Sequence, residues 1–350
     1  MGIKKSFEEL ILKRSNSYKF YKDFYEKNKD SSKNPKLEAE VEKLKKDFYD
    51  YKEKNEEYIK SSTYLFTTLF VDYEINEPIG LLKDIQTLSK ELLLFVDNIC
   101  KKYELEWWIT AGSLLGAVRH QNFVPWDDDI DIILMRKHYM KLYKVLGQEI
   151  EDSGLDDILR LHYRHRQIDG ETINSFIQLS VRSPIDIRKR PVLARLDIFP
   201  FDYIKDYDKD TIVDDHYNAK LNYFRNIKNE MDLDLAVEKL YDELNLSMEP
   251  TDYIIPGVEG SYGKYNYSKL IILDTDEMMP LQWVKFGDIE VSVPKNPDHY
   301  LRKAFREYQT LPRNVIRHSF IDTFRYSKNA GEVFEMCIDR FKQVNDNFEM

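Results

Sequence analysis

The rhythm of hydrophobic positions changes near Gly80. Before it, Leu37, Val41, Leu44, Phe48, Tyr51, Asn55 and Tyr58 recur at spacings of four and three, which is a heptad seam. Phe7, Ile11, Tyr18, Tyr21 and Tyr25 form a second seam, broken by Arg14, and NKDSSKNPK between the two reads as a turn. The pattern predicts a helical hairpin or short coiled coil over residues 1–75. Its apolar face has two destinations, the rest of its own chain or a second copy in a homodimer. Asn55 at an a position is the kind of residue that sets partner number.

From Gly80 onward the pattern is α/β. Residues 81–103 have helical periodicity, and a short apolar strand follows over 107–110. GSLLGAVRH reads as a turn opening a short helix, 129–134 as a strand and 137–148 as a helix. Residues 158–165, 175–182 and 194–199 alternate or run apolar like strands. Residues 206–246 are polar and helical in pattern. Turns and strands follow over 255–293, and Asn296-Pro297 starts a further helix. The expected architecture is an α/β (α+β) domain over 80–350, a mixed sheet flanked by helices. Its core is expected at about 80–202, with a further C-terminal region of the same domain over 203–350.

Composition narrows the function. Apolar residues are 42% of the chain, enough to bury a core, and no run approaches the ~18 apolar residues that span a bilayer. MGIKKSFEEL has no apolar signal core. Gly2 and Ser6 fit a loose myristoylation pattern too short to carry weight. The chain therefore reads as cytoplasmic, at most peripheral at the inner membrane face. Two cysteines, Cys100 and Cys337, make no disulfide framework and no cysteine-type zinc site. Net charge is −10, and residues 1–60 carry 16 basic against 13 acidic side chains, so the remainder is strongly acidic. An acidic body argues against a duplex nucleic-acid partner, but it can handle phosphate compounds when metal ions stand between carboxylates and substrate.

The chemistry concentrates in WWITAGSLLGAVRHQNFVPWDDDIDIIL. On a strand, Asp129 and Asp131 point to one face and Ile130 and Ile132 to the other; Asp127 joins the acids if the strand reaches that far. Like charges this close repel unless a cation compensates them, and Mg²⁺ or Mn²⁺ suits carboxylate oxygens. Gly112-Ser113 opens a helix whose first amides can hold a phosphate. Acidic runs are usually solvated turns, but this one enters an apolar strand, where unemployed acids are costly. A calcium loop is excluded, because counting from Asp127 the sixth position is Ile132 and the twelfth His138.

GSLLGAVRHQNFVPWDDDIDI resembles the signature of the LicD family, which includes bacterial phosphocholine transferases and is related to fukutin and fukutin-related protein. LDIFPFD (196–202) and VSVPKNPDHYLRKAFREY resemble its later blocks, so the similarity covers about residues 80–319. The resemblance implies a polymerase-beta-like nucleotidyltransferase fold. It assigns the turn to Gly112 and Ser113, the paired acids to Asp129 and Asp131, a third acid to Asp197, and a further metal position to Asp127. Asp129 and Asp131 would bridge two ions. Asp197 would hold the catalytic metal near the acceptor hydroxyl or take its proton. Arg119, read as one turn into the helix, is a candidate clamp for the diphosphate, and Lys295 a second phosphate contact. His120 reads first as a helix-end contact. Trp107, Trp108 and Trp126 lie near enough to the motif to weigh as a cage for a quaternary ammonium, against the commoner reading as core. Glu277 and His318 fall in similar blocks without a derivable role.

The expected function is Mg²⁺-dependent transfer of a phospho-alcohol group, such as phosphocholine, from a CDP-activated donor to a cell-surface glycan or its precursor. The alternatives are a true nucleotidyltransferase acting on a sugar, protein or RNA, and a non-catalytic assembly protein of surface-glycan synthesis. The intact acid set counts against the last.

Overall fold

The computed structural model describes residues 80–168, 171–185, 191–227, 233–260, 270–309 and 329–348, with a few isolated positions before residue 80; for 163–168 and 171–175 only the backbone is described. The predicted N-terminal hairpin, its heptad seam and His318 lie outside the described residues. Nearly all described residues belong to one unit, Ile75–Thr310 with His318–Met350.

Helix α1 (Gly80–Lys102) buries Leu82, Ile85, Leu88, Leu92, Val96 and Ile99, a stripe spaced by three and four, and ends on Lys101 and Lys102, whose charge suits a helix C-terminus. Strand β1 (Trp108–Ile109) leads directly into α2 (Ala111–His120). Strand β2 (Ile130–Met135) is followed by α3 (Arg136–Asp152). Strands β3 (Leu159–Ile168), β4 (Glu171–Arg182) and β5 (Val192–Ile204) come next, then α4 (Ile212–Asn226) and α5 (Leu233–Glu243). Short strands β6 (Leu246–Ser247), β7 (Tyr253–Pro256) and β8 (Leu273–Asp274) precede the one-turn helix α6 (Thr275–Met278). A hairpin of β9 (Gln282–Phe286) and β10 (Ile289–Val293), helix α7 (Pro297–Phe305) and helix α8 (Ala330–Asp346) complete the order.

The sheet has eight strands and is mixed, as the sequence predicts. Its spine is the thirteen-residue β5, which pairs in parallel with β2 and antiparallel with β4, β6 and β7. The sheet therefore runs across residue 202 without interruption. The β2–β5 register aligns Ile130 with Leu196, Asp131 with Asp197 and Ile132 with Ile198. Side chains alternate along both strands, so Ile130, Ile132, Leu196 and Ile198 line one fully buried face and the acids emerge on the other.

Helix α7 starts where Asn296-Pro297 predicts: the Asn296 side chain accepts from the His299 amide and Pro297 sits in the first turn. Helix α8 is absent from the sequence-based expectation. Its apolar positions Val333, Phe334, Cys337, Ile338 and Phe341 pack against α1, with the Phe341 and Phe95 rings edge to face at 6.1 Å.

Candidate active site

The site is assembled at the junction of β1, α2 and β2. Ile109 ends β1, Ala111 turns the chain with φ +49°, and α2 begins at once. A non-glycine residue in the left-handed region costs about 1–2 kcal/mol, a strain of the kind found at functional turns. Around it the backbone is tied down. The Thr110 amide donates to the Asp131 carbonyl at 2.9 Å, and the Thr110 hydroxyl bonds the Tyr300 hydroxyl of α7 at 2.6 Å.

The two glycines of GSLLG are explained by what a methyl group would meet. A Cβ on Gly112 would lie 2.5 Å from Oδ2 of Asp127. On Gly116 it would lie 2.4 Å from the Asn122 carbonyl oxygen and 2.7 Å from the Val124 nitrogen. The first neighbour is a side-chain end that can move; the second is backbone that cannot. Gly116→Ala is therefore expected to cost about 1–3 kcal/mol by overpacking, while Gly112→Ala leaves the melting temperature near or above that of wild type because alanine favours the helix. Thermal melts of the two variants check the contrast.

Ser113 is buried, and its Oγ accepts from the Asp131 amide at 3.0 Å, which locks α2 onto the acid strand. Strand β2 begins at Ile130, one residue later than predicted, so Asp127, Asp128 and Asp129 form the loop that enters it. One carboxylate oxygen from each of these three lies within 4.8 Å of the others. Asp128, which the sequence reading left out, is buried, whereas Asp127 and Asp129 are half-buried. Asp131 continues the set one strand position in. Asp197, 66 residues later in the chain, is its direct partner on β5, about 4.8 Å across the sheet.

The register brings in three further residues that the sequence reading missed. Gln178 on β4 pairs with Asp197, and its Nε2 donates to Asp197 Oδ1 at 2.5 Å. His162 on β3 pairs with Gln178, and its Nε2 meets Gln178 Oε1 at 2.7 Å. Arg195 precedes Leu196, the partner of Ile130, and so stands at the Asp129 end of β2. A signal for the first existed: in FIQLSVR the polar Gln178 and Ser180 alternate with buried Ile177, Leu179 and Val181. Burial, with Arg182 and Arg195 close by, holds the His162 pKa below its ordinary value although Gln178 pulls it up.

Other candidates are placed elsewhere. Because α2 starts at Ala111, Arg119 is in its last turn, not one turn in as the sequence suggested, about 10 Å along the axis from Gly112. Its Nη1 donates to the Tyr308 carbonyl and its Nε to His120 Nε2, each at 2.9 Å; burial lowers its pKa. His120 is thus a helix-end contact, its pKa lowered by burial and then by Arg119. Lys295 donates to the Asp276 carbonyl at 3.0 Å, and Glu277 accepts from the Asn296 side chain. Trp107 and Trp108 are core residues, the first bonded through its indole N–H to Asp97 at 2.9 Å, and their faces are closed to a cage. Trp126 is half-buried.

A mixed sheet carrying acids on two adjacent strands, fronted by a strand–turn–helix, defines a nucleotidyltransferase-like α/β protein. The family described as LicD/FKTN/FKRP, nucleotidyltransferase domain, matches residues 104–232, so this part of the chain is similar to that family's domain. The lipopolysaccharide cholinephosphotransferase LicD of Haemophilus influenzae is 30% identical over 132 residues, 37% of this chain and 47% of that protein. The uncharacterized protein RT0683 of Rickettsia typhi is 26% identical over 176 residues, 43% of this chain and 56% of that protein. The human ribitol 5-phosphate transferase FKRP is 23% identical over 128 residues, 37% of this chain and 25% of that protein. The chain thus spans about half, or less, of the length of these relatives. No helix among the described residues is long and apolar enough to cross a membrane.

Proposed function

We propose that this protein transfers a phospho-alcohol group, phosphocholine or a close analogue, from a CDP-activated donor to a cell-surface glycan or its precursor, with Mg²⁺ or Mn²⁺ as cofactor. The observation that carries this reading is the convergence of Asp127, Asp128 and Asp129 beside the registered pair Asp131 and Asp197. It lies within the domain shared with a cholinephosphotransferase and a ribitol 5-phosphate transferase.

The donor set is all carboxylate, which suits a hard, oxygen-seeking cation and not zinc. Asp127, Asp129, Asp131 and Asp197 are the residues assigned to hold it, and a bound divalent ion would neutralise charge on the donor phosphates. The chain's own residues do the rest. The first amides of α2, at Gly112 and Ser113, receive a donor phosphate. Arg119 and Lys295, bonded to the Tyr308 and Asp276 carbonyls, are given no part in this step. Asp197 accepts the proton of the acceptor hydroxyl as that oxygen bonds to phosphorus. The phosphoanhydride bond breaks at the same centre and CMP leaves.

The purified protein, given Mg²⁺, a glycan acceptor and in turn CDP-choline, CDP-glycerol, CDP-ribitol and ordinary nucleoside triphosphates, is expected to release CMP from at least one CDP-alcohol. Pyrophosphate release from a triphosphate, with no CMP, would replace this reading with a true nucleotidyltransferase. Absence of both products would leave the assembly role.

A further inference from the structure

The face that carries Asp131 and Asp197 continues across two more strands. Asp197, Gln178 and His162 are successive register partners on β5, β4 and β3, joined side chain to side chain at 2.5 and 2.7 Å. We propose that Gln178 and His162 are positioning residues for Asp197, with His162 fixing the amide of Gln178 so that its N–H holds the carboxylate in place beside Asp131. This rests on the metal-dependent reading of the site.

The hydrogen-bond chemistry gives the chain a direction. A carboxylate only accepts, so Gln178 must present its amide nitrogen to Asp197. Its carbonyl oxygen then faces His162, and an accepting carbonyl requires a proton on Nε2 of the ring. Reversing the amide would set a carbonyl oxygen against the carboxylate, losing that bond and replacing it with repulsion. Gln178 is 5% exposed, so water does not compensate for a lost partner. His162 keeps Nε2–H as a donor whether the ring is neutral or protonated, so the arrangement does not depend on its titration.

The choice of an amide matters for the acid it serves. A lysine or arginine in that place would neutralise Asp197 and compete with a cation. A neutral amide orients the carboxylate and leaves its charge for the metal, the role that outer partners of ligating carboxylates commonly play. A purely structural polar pair would stabilise β3–β4–β5 and do nothing else. The two roles separate in measurement.

Calorimetric titration of substrate-free protein with Mn²⁺, together with thermal melting, tests the proposal. Wild type and Asp131→Asn test the parent reading: wild type should bind and the variant should not. Gln178→Leu is then expected to weaken Mn²⁺ binding by about 10–100-fold, the usual cost of removing such a partner, and His162→Leu by a smaller factor. His162→Gln, which can still donate to Gln178 Oε1, should recover most of the loss. If both leucine variants bind Mn²⁺ as wild type does and only melt earlier, the pair is structural and the proposal is overturned. If wild type itself binds no Mn²⁺, the metal reading falls first and takes this inference with it.

Discussion

Asp131→Asn is expected to lower the proposed phospho-alcohol transfer by about a thousandfold or more at saturating Mg²⁺, roughly 4 kcal/mol of barrier, while the protein stays folded. Asparagine keeps the shape of the side chain and removes the charge. The fold does not need that charge. The strand is held by the Asp131 backbone, whose carbonyl accepts from Thr110 and whose amide donates to Ser113. Asp197 lies directly across the sheet and Asp129 two residues away, so removing one negative charge relieves repulsion. Melting in chelator should therefore stay level or rise, and a steady-state assay alongside it reads the loss of turnover. Near-wild-type turnover of Asp131→Asn would mean that the reaction centre lies elsewhere.

The second large effect is on stability. Arg136, the first residue after β2, is buried between Asp202 on β5 and Glu259. Its Nε and Nη2 bond both oxygens of Asp202 at 2.8 Å, and its Nη1 reaches Glu259 at 2.6 Å. Tyr223 donates to Glu259 and Tyr241 to Asp202. Arg136→Met would strand two buried carboxylates, and breaking such a cluster from one side costs about 3–5 kcal/mol. Chemical denaturation at neutral pH measures it.

The pH dependence carries the sign. In wild type, burial pushes the Glu259 carboxyl up, but Arg136, aided by Tyr223, outweighs it and holds it below the ordinary glutamate value. Its contribution to stability is therefore present above the ordinary glutamate range and lost as pH falls through the lowered value. Without Arg136 the largest opposing effect is gone, burial outweighs the remaining Tyr223 bond and the shift reverses, so the variant is least stable at neutral pH and gains as the acid protonates. The stability gap between wild type and Arg136→Met should narrow as pH falls from 7 towards 5. A constant gap would mean that Glu259 does not depend on Arg136.

This cluster bears on the site as well. Arg136 clamps the ends of β2 and β5, five residues beyond the Asp131–Asp197 pair, and so helps hold the register that sets the two acids side by side. LDIFPFD offers two acids, and the sequence alone does not say which serves chemistry. Asp197 and Asp202 are five residues apart on one strand, so they point to opposite faces. The one beside Asp131 joins the site, and the other is consumed by Arg136.

Several features were determined by local sequence. The alternation around Asp129 and Asp131 set the acids against buried isoleucines, because a strand has a two-residue repeat whatever it pairs with. Asn296-Pro297 set the start of α7, because a cap and a fixed φ act within one turn. Tertiary structure decided the rest. The start of β2 at Ile130, which leaves Asp127 to Asp129 in a loop, depends on what the neighbouring strands offer to bond. The need for glycine at 116 arises from the backbone at 122–124, which does not touch α2 until the chain folds back. Gln178 and His162 join Asp197 only through the pairing of β3, β4 and β5, and Arg119 moved to the far end of its helix once the first turn was placed. Chain periodicity reports which face a residue occupies. Which residues share that face is a matter of register, and register is settled by packing between strands far apart in sequence.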